Sequence, residues 1–351
     1  MNRKNLSSGL ALAFFLVPAS IVPLYSQSPY YQGKTVTILV STDAGGTADL
    51  RIKALALYLQ KYIPGNPTIV TEYMPGGGGR KAANHVYRSV RPDGLTIGSM
   101  ATTLVSAAIL GESGVLYNID RFIYLGAPDS STQHVFLTRK ELGLSTIDKL
   151  RSAPGIRIGA QSVGHQIYNT GRLFAYLLGL KEPKYVVGYT GPEIDIALQR
   201  GEVDARSHLA GSVLQRTPEL LEKGLADFHA ALETPKGNRH PRFAHLPEIE
   251  SFAKSDRERK LLSLQRTLRL TGSTLILPPN TPKQPTEILR EAMRKTFQDP
   301  EFLGAYRKAT GEDATPVMAE ELQRIVKEAP RDPEVVALFN KITGPDPLPE
   351  R

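Results

Sequence analysis

The sequence predicts an α/β protein of two lobes, each a doubly wound, mostly parallel sheet with flanking helices. Three observations predict it. Short β-rich runs alternate with helix-period segments from Thr35 to Met100, and the same alternation restarts at Phe122 and runs to His208. Strand, helix, strand in that order is the signature of a doubly wound sheet. Finally, 351 residues are enough for two ordinary domains with buried cores.

The first unit opens with Thr35 to Val40 (TVTILV), a β-branched run, followed by a turn at Gly45 and Gly46. Asp49 to Tyr62 carries Leu50, Ala54, Leu57 and Tyr58 on one helix face. Thr68 to Tyr73 is a second strand ending at Pro75 and four glycines, and Ala82 to Ser89 is a helix. The Pro92-Asp93-Gly94 turn announces a third strand, Leu95 to Met100. In the second unit, Phe122 to Ala127 and His134 to Thr138 read as strands and Ser145 to Ser152 as a helix. Ile156 to Ala160 is a strand and Ile167 to Leu178 an amphipathic helix. Lys184 to Val187, Pro192 to Arg200 and Val203 to His208 follow as strand, helix and strand. Beyond Leu232 the chain turns polar and rich in Pro and Gly, then helical, as far as a strand at Ser273 to Leu277. Pro285 to Asp299 is an amphipathic helix, and a helical tail completes the chain.

Composition excludes several functions. With no Cys, disulfide scaffolds, thiol nucleophiles, Cys-ligated metal centres and a cysteine lipid anchor are all ruled out. Residues 1–26 read as a cleaved secretory signal, with Arg3 and Lys4 before an apolar stretch from Gly9 to Val17 that is too short to span a bilayer. Removing Arg3 and Lys4 leaves 41 basic against 35 acidic residues. That excess lies in mixed clusters such as Lys254 to Lys260, as on a solvated helix face. With no Trp and no basic stripe interleaved with aromatics, nucleic acid is not the expected partner.

Both early glycine clusters sit where a strand ends and a helix begins, the rim where open α/β sheets bind ligands. Backbone N–H groups there favour a carboxylate or phosphate; tight turns needing positive φ are the bland alternative. Neither loop has Walker A or GxGxxG spacing, because the first reads DAGGTAD and the second GGRK. No GxSxG elbow or HExxH helix occurs, and His134, His165 and His208 stand singly. No metal and no cofactor is expected.

On these segments the chain resembles the substrate-binding receptors of tripartite tricarboxylate transporters, the Bug family. The resemblance is carried by VSTDAGGTADL (Val40 to Leu50), IPGNPTIVTEYMPGGGGRKAANHVY (Ile63 to Tyr87) and RPDGLTIGSM (Arg91 to Met100). It continues in IRIGAQSVGHQ from Ile156, VVGYTGPEIDIALQRGEVDA from Val186 and LILPPNTP from Leu275. It implies a type II periplasmic-binding-protein fold, with residues 27–127 and 272–351 as the first lobe, 128–271 as the second, and a return hinge within 233–272. The implied function is non-enzymatic: a periplasmic, monomeric receptor closes like a flytrap on a small organic acid and passes it to one large and one small integral-membrane subunit. The ligand-binding residues it implies are Ala44, Gly45, Gly46, Thr47, Ala48, Gly77, Gly78 and Thr102 in the first lobe. In the second they are Ser162, Gly164, His165, Gln166, Tyr189, Thr190, Gly191 and His208.

Two departures bear on the ligand. Asp43 precedes the first glycines and would repel a carboxylate unless it points outward. His208 stands where many members of the family carry a carboxylate, so the expected ligand has no essential ammonium. An exported enzyme on the same scaffold and a receptor that signals to a sensor kinase remain the alternatives.

Overall fold

The computed structural model describes residues 1, 28–45, 47–311 and 313–351. The signal expected over residues 1–26 therefore lies, Met1 apart, outside the described residues, as does Gly46. The strands are β1 (Thr35–Val40), β2 (Thr68–Tyr73), β3 (Thr96–Ser99), β4 (Ile123–Ala127), β5 (Thr132–Arg139), β6 (Arg157–Gly159), β7 (Lys184–Val186), β8 (Ala205–Leu209), β9 (Ala226–Thr234), β10 (Leu275–Leu277) and β11 (Val317–Met318). The helices are α1 (Thr47–Tyr62), α2 (Arg80–Arg88), α3 (Thr103–Ile109), α4 (Ile147–Ser152), α5 (Gln166–Leu178), α6 (Gly191–Arg200), α7 (Ala210–Arg216), α8 (Glu219–Glu222), α9 (Asp256–Leu270), α10 (Lys283–Gln298), α11 (Pro300–Thr310), α12 (Ala319–Lys327) and α13 (Pro333–Thr343).

Two sheets form, in the orders β11-β4-β10-β3-β1-β2 and β7-β6-β8-β5-β9. Both are mixed rather than mostly parallel. Parallel pairing holds for β1 with β2 and β3, and for β6 with β7 and β8. The remaining pairs, β10 with β3 and β4, β11 with β4, and β5 with β8 and β9, are antiparallel. The physical cause is the path between sheets. β10 arrives from the second sheet's side and enters between β3 and β4 against their direction.

Alternation along β1 places Val36, Ile38 and Val40 against Leu55 and Leu59 of α1 and Met293 of α10, while Leu39 faces α2 and Val86. Such side chains are fully buried, and each stabilises the fold by about 1.5–3 kcal/mol. Gly126 in β4 illustrates how closely this sheet is packed. Its φ is +123°, and a Cβ there would stand 2.7 Å from the Val317 carbonyl oxygen, so β11 can lie against β4 only because this position is glycine.

The closing stretch 272–351 does not all stay with the first sheet. α10, α11 and α12 pack on first-sheet elements, but α13 lies against α5 and α9. Phe339 and Ile342 join Leu173, Leu177, Leu261 and Leu268 in one core. Tyr168 of α5 donates to the Gly344 carbonyl at 3.0 Å, and the Arg172 guanidinium donates to the carbonyls of Ile342 and Asp346. Arg351 reaches back to Glu258 at 2.7 Å. Among the described residues no helix is long and apolar enough to cross a membrane.

Candidate functional site

The chain passes between the sheets at Pro128–Ser131 and returns at Thr271–Thr274, and three charged side chains meet at this crossing. Arg51 of α1 donates to Ser273 Oγ at 3.2 Å and approaches Asp129 Oδ2 to 3.0 Å. Arg269, at the end of α9, donates to Thr132 Oγ1 at 3.2 Å and stands 3.8 Å from the same Asp129 oxygen. A third segment is tied in where the Thr315 hydroxyl accepts from the amides of Ser130 and Ser131 at 3.0 and 2.9 Å.

Three cavities surround the crossing. One of about 180 Å³ lies at the carboxyl ends of β1 and β3, lined by Thr42, Ala48, Arg51, Thr102 and Ser273. A second, of about 430 Å³, spans the sheets, with Thr102, Thr103 and Ser106 on one side and Gly164, Gln166, Asn169, Asn340 and Thr343 on the other. The third, of about 480 Å³, is lined by Asp129, Gln133, Ser212, Asn238 and Arg307. Thr102 is common to the first two, and Arg269 to the last two. A cation thus stands where the larger spaces adjoin, with hydroxyl and amide groups on their walls. That chemistry suits an anion with further polar groups.

Of the residues expected in the first lobe, Ala48 and Thr102 line these cavities. Ala44 and Gly45 are exposed in the turn before α1. The Gly45 amide is already used, because it donates to Asp49 Oδ2 at 2.7 Å. That carboxylate also accepts from Lys53 at 2.8 Å and from the Tyr73 hydroxyl at 2.7 Å, and these hydrogen bonds hold Asp49 at about 2, well below the ordinary range. Thr47 opens α1, and Asp43 is exposed. Gly77 and Gly78 form a turn with φ near +60° and do not line the cavities described. They act on the site indirectly, because the Thr103 hydroxyl donates to the Gly78 carbonyl.

In the second lobe, Gly164 and Gln166 reach the 430 Å³ cavity, while Ser162 and His165 are exposed beside it. His165 caps α5, its Nδ1 accepting from the Ile167 amide at 3.2 Å. The expected contacts at Tyr189, Thr190 and Gly191 are not brought to these cavities, and local chemistry explains why. Thr190 and Glu193 form a capping box at the start of α6, which occupies the Thr190 hydroxyl. The Tyr189 hydroxyl donates to Glu202 at 3.3 Å.

His208 is buried, with Nε2 3.1 Å from Asp195 Oδ1. Burial, opposed by the Asp195 hydrogen bond, lowers it to about 4, so it is neutral at pH 7. A carboxylate does stand beside His208, that of Asp195 from α6. It is committed to Arg206 and to Arg216 at 3.3 Å. Burial alone would raise Asp195, but its contact with His208 and the neighbouring Arg206 and Arg216 charges hold it below its ordinary value.

Sequence reading missed Arg51, Asp129, Arg269 and Asn169. Arg269 falls in the polar stretch before the return crossing that no motif located, and a lone Arg in a helix carries no signal of its own. Among the described residues no group of three or more His, Asp or Glu could hold a metal ion.

No protein-family model and no curated protein matches the chain. Solved structures do match. A TctC solute-binding protein from Polaromonas, solved without ligand, superposes with a TM-score of 0.65 at 17% identity, covering 89% of this chain and 98% of its own. The chain has the two-lobed fold of the TctC and Bug solute-binding proteins. The periplasmic binding protein BugD matches at TM-score 0.54 and 20% identity over 89% of this chain and 98% of its own. MatC from Rhodopseudomonas palustris, solved with bound malate, gives TM-score 0.54 and 19% identity over 89% and 99%. The crossing at Asp129 joins the two sheets of this fold, and the 430 Å³ cavity is lined by residues from both sides of it.

Proposed function

We propose that the protein is an extracytoplasmic solute-binding receptor, without chemistry of its own, that captures a small carboxylate between its lobes. The observation that carries this reading is the interlobe cavity. Thr102 and Thr103 line one side of it and Gln166 the other, and Arg269 belongs to the same lining. A ligand that touches both walls makes its full set of contacts only when the lobes are close, so binding shifts the population toward the closed form. The signal read at residues 1–26 is cleaved on export, and, following the resemblance, a monomer in the periplasm passes its ligand to one large and one small integral-membrane subunit. The malate-bound MatC supports an organic acid as the ligand.

The test is a thermal-shift screen of the mature chain against di- and tricarboxylates, aromatic acids, amino acids and sugars, with the ligand recovered afterwards. A saturable rise in Tm with one class of carboxylate, recovered unchanged, is expected. Turnover of the ligand, or a shift with sugars alone, overturns the reading.

A further inference from the structure

α13 brings Phe339, Asn340 and Thr343, with Gly344 just beyond it, into the lining of the 430 Å³ cavity. None of the positions that the resemblance implies lies on this helix. Asn340 is exposed and Thr343 half-buried. The Thr343 hydroxyl donates to the Phe339 carbonyl at 2.9 Å, and its oxygen keeps the capacity to accept. A wall of the cavity is therefore supplied by the end of the chain, and where that wall stands depends on what holds α13 to the second lobe.

An eleven-residue helix is marginal by itself and keeps its place through tertiary contacts. Phe339 and Ile342 pack with Leu173 and Leu177 of α5, but apolar contact is not directional and fixes no register along the helix. The polar contacts do. Tyr168 and Arg172, one turn apart on the same face of α5, hold the carbonyls at the end of α13: Tyr168 that of Gly344 at 3.0 Å, and Arg172 those of Ile342 and Asp346. Arg172 also donates to the Tyr168 hydroxyl at 3.2 Å and is 1% exposed. Among the described residues its charge is met by these oxygens, at a helix C-terminus where cations are favoured, and by the rings of Tyr185 and Tyr168, 4.4 and 5.4 Å away. The planar fork of the guanidinium grips two carbonyls at once, which a single ammonium would not do in the same geometry. The first turn of α5 lines the same cavity at Gln166 and Asn169, so one helix sets both parts of the wall. We infer that α13 is part of the surface that recognises the ligand, and that Arg172 is the positioning residue that sets it there. This rests on the receptor reading above and extends its site to the end of the chain.

Calorimetric titration of the mature chain with succinate, malate and citrate, and with any further acid that the thermal screen returns, gives the reference Kd. Hydrogen exchange followed by mass spectrometry reads residues 333–344. A bound acid is expected to slow exchange there, and Asn340→Leu to weaken that acid about tenfold, the worth of a lost hydrogen bond or two. Arg172→Lys keeps the charge without the fork, and Tyr168→Phe removes one hydroxyl. Each, first shown by Tm to fold, is expected to speed exchange across α13 and to weaken the same acid about tenfold; should Arg172→Lys fail to fold, Tyr168→Phe carries the test. A seat that only stabilises the protein would lower Tm and speed exchange while leaving Kd, measured well below Tm, as in the unaltered chain. That result overturns the inference, as does an unchanged Kd in Asn340→Leu or a bound acid that leaves exchange in α13 unaltered, and each leaves the receptor reading standing. A folded chain that binds none of the acids in the wider screen overturns both.

Discussion

Replacing Asp195 with Asn is the sharpest test of how the second lobe is held together. The carboxylate is nearly buried and contacts Arg206, His208 and Arg216. Arg206 is 1% exposed and, among the described residues, otherwise donates to the carbonyls of Gly191 and Ser207, 3.3 and 3.4 Å away. Asn keeps the shape and removes the charge, so the guanidinium is left buried without a counter-ion. Breaking a buried pair from one side costs about 3–5 kcal/mol, on the order of 10 °C in Tm for a domain of this size. Arg216 is 40% exposed and can turn to water, so it adds little. Thermal unfolding followed by circular dichroism gives the Tm, and the double variant Asp195→Leu with Arg206→Met supplies the control. Because an apolar pair of similar volume often replaces a buried ion pair without loss, the double variant is expected to recover most of the stability. A loss under about 1 kcal/mol in the single variant, or a double variant as unstable as the single, refutes the argument.

Buried neutral histidines set a pH dependence. Burial lowers His134 to about 3, and His208 and His229 to about 4. The unfolded chain therefore takes up protons near pH 6.5 that the folded chain refuses. Stability is expected to be greatest above that pH and to fall between pH 6.5 and 4, by up to about 1.4 kcal/mol per pH unit for each histidine; a flat profile of unfolding free energy in urea would contradict it. Gly126→Ala forces a side chain to 2.7 Å from a backbone carbonyl at φ +123° and is expected to cost about 2–4 kcal/mol. Gly143→Ala, at φ +64° with nothing within 4 Å, costs about 1 kcal/mol, and equal Tm losses would refute the packing argument. Arg269→Met is expected to weaken the carboxylate found by screening about tenfold or more, the loss of a charged hydrogen bond; unchanged affinity by calorimetry would place the anion elsewhere.

What the sequence made legible was local. β1 and β2 span the residues that their β-branched runs predict, and α5 begins one residue before its expected start. β9 was not legible, because ADFHAALET has the alanine content of a helix; pairing along β5 makes it a strand buried on both faces. α3 was missed because TLVSAAI is short and carries no side-chain cap. The capping box at Thr190 was readable in Thr-Gly-Pro-Glu, yet the resemblance drew attention to ligand contact there instead. Arg269 is a different case. It becomes part of the site only when residues 140 apart in sequence meet at Asp129, and no local pattern encodes that meeting.

The arrangement also determines which contacts can drive closure under the proposed function. A ligand shifts an equilibrium only by the difference in its affinity for the two states. Donors on the first lobe alone, such as the turn before α1, are offered equally to a ligand in the open and the closed forms. One of them, the Gly45 amide, is already held by Asp49. The groups whose reach depends on closure lie across the cavity from Thr102 and Thr103, at Gln166, Asn169, Asn340 and Thr343. Two of those four come from α13, which packs on the second lobe. Selectivity and closure are therefore governed by the same wall, and substitutions there alter both together, whereas substitutions in the first-lobe turn change affinity without changing which ligand closes the receptor.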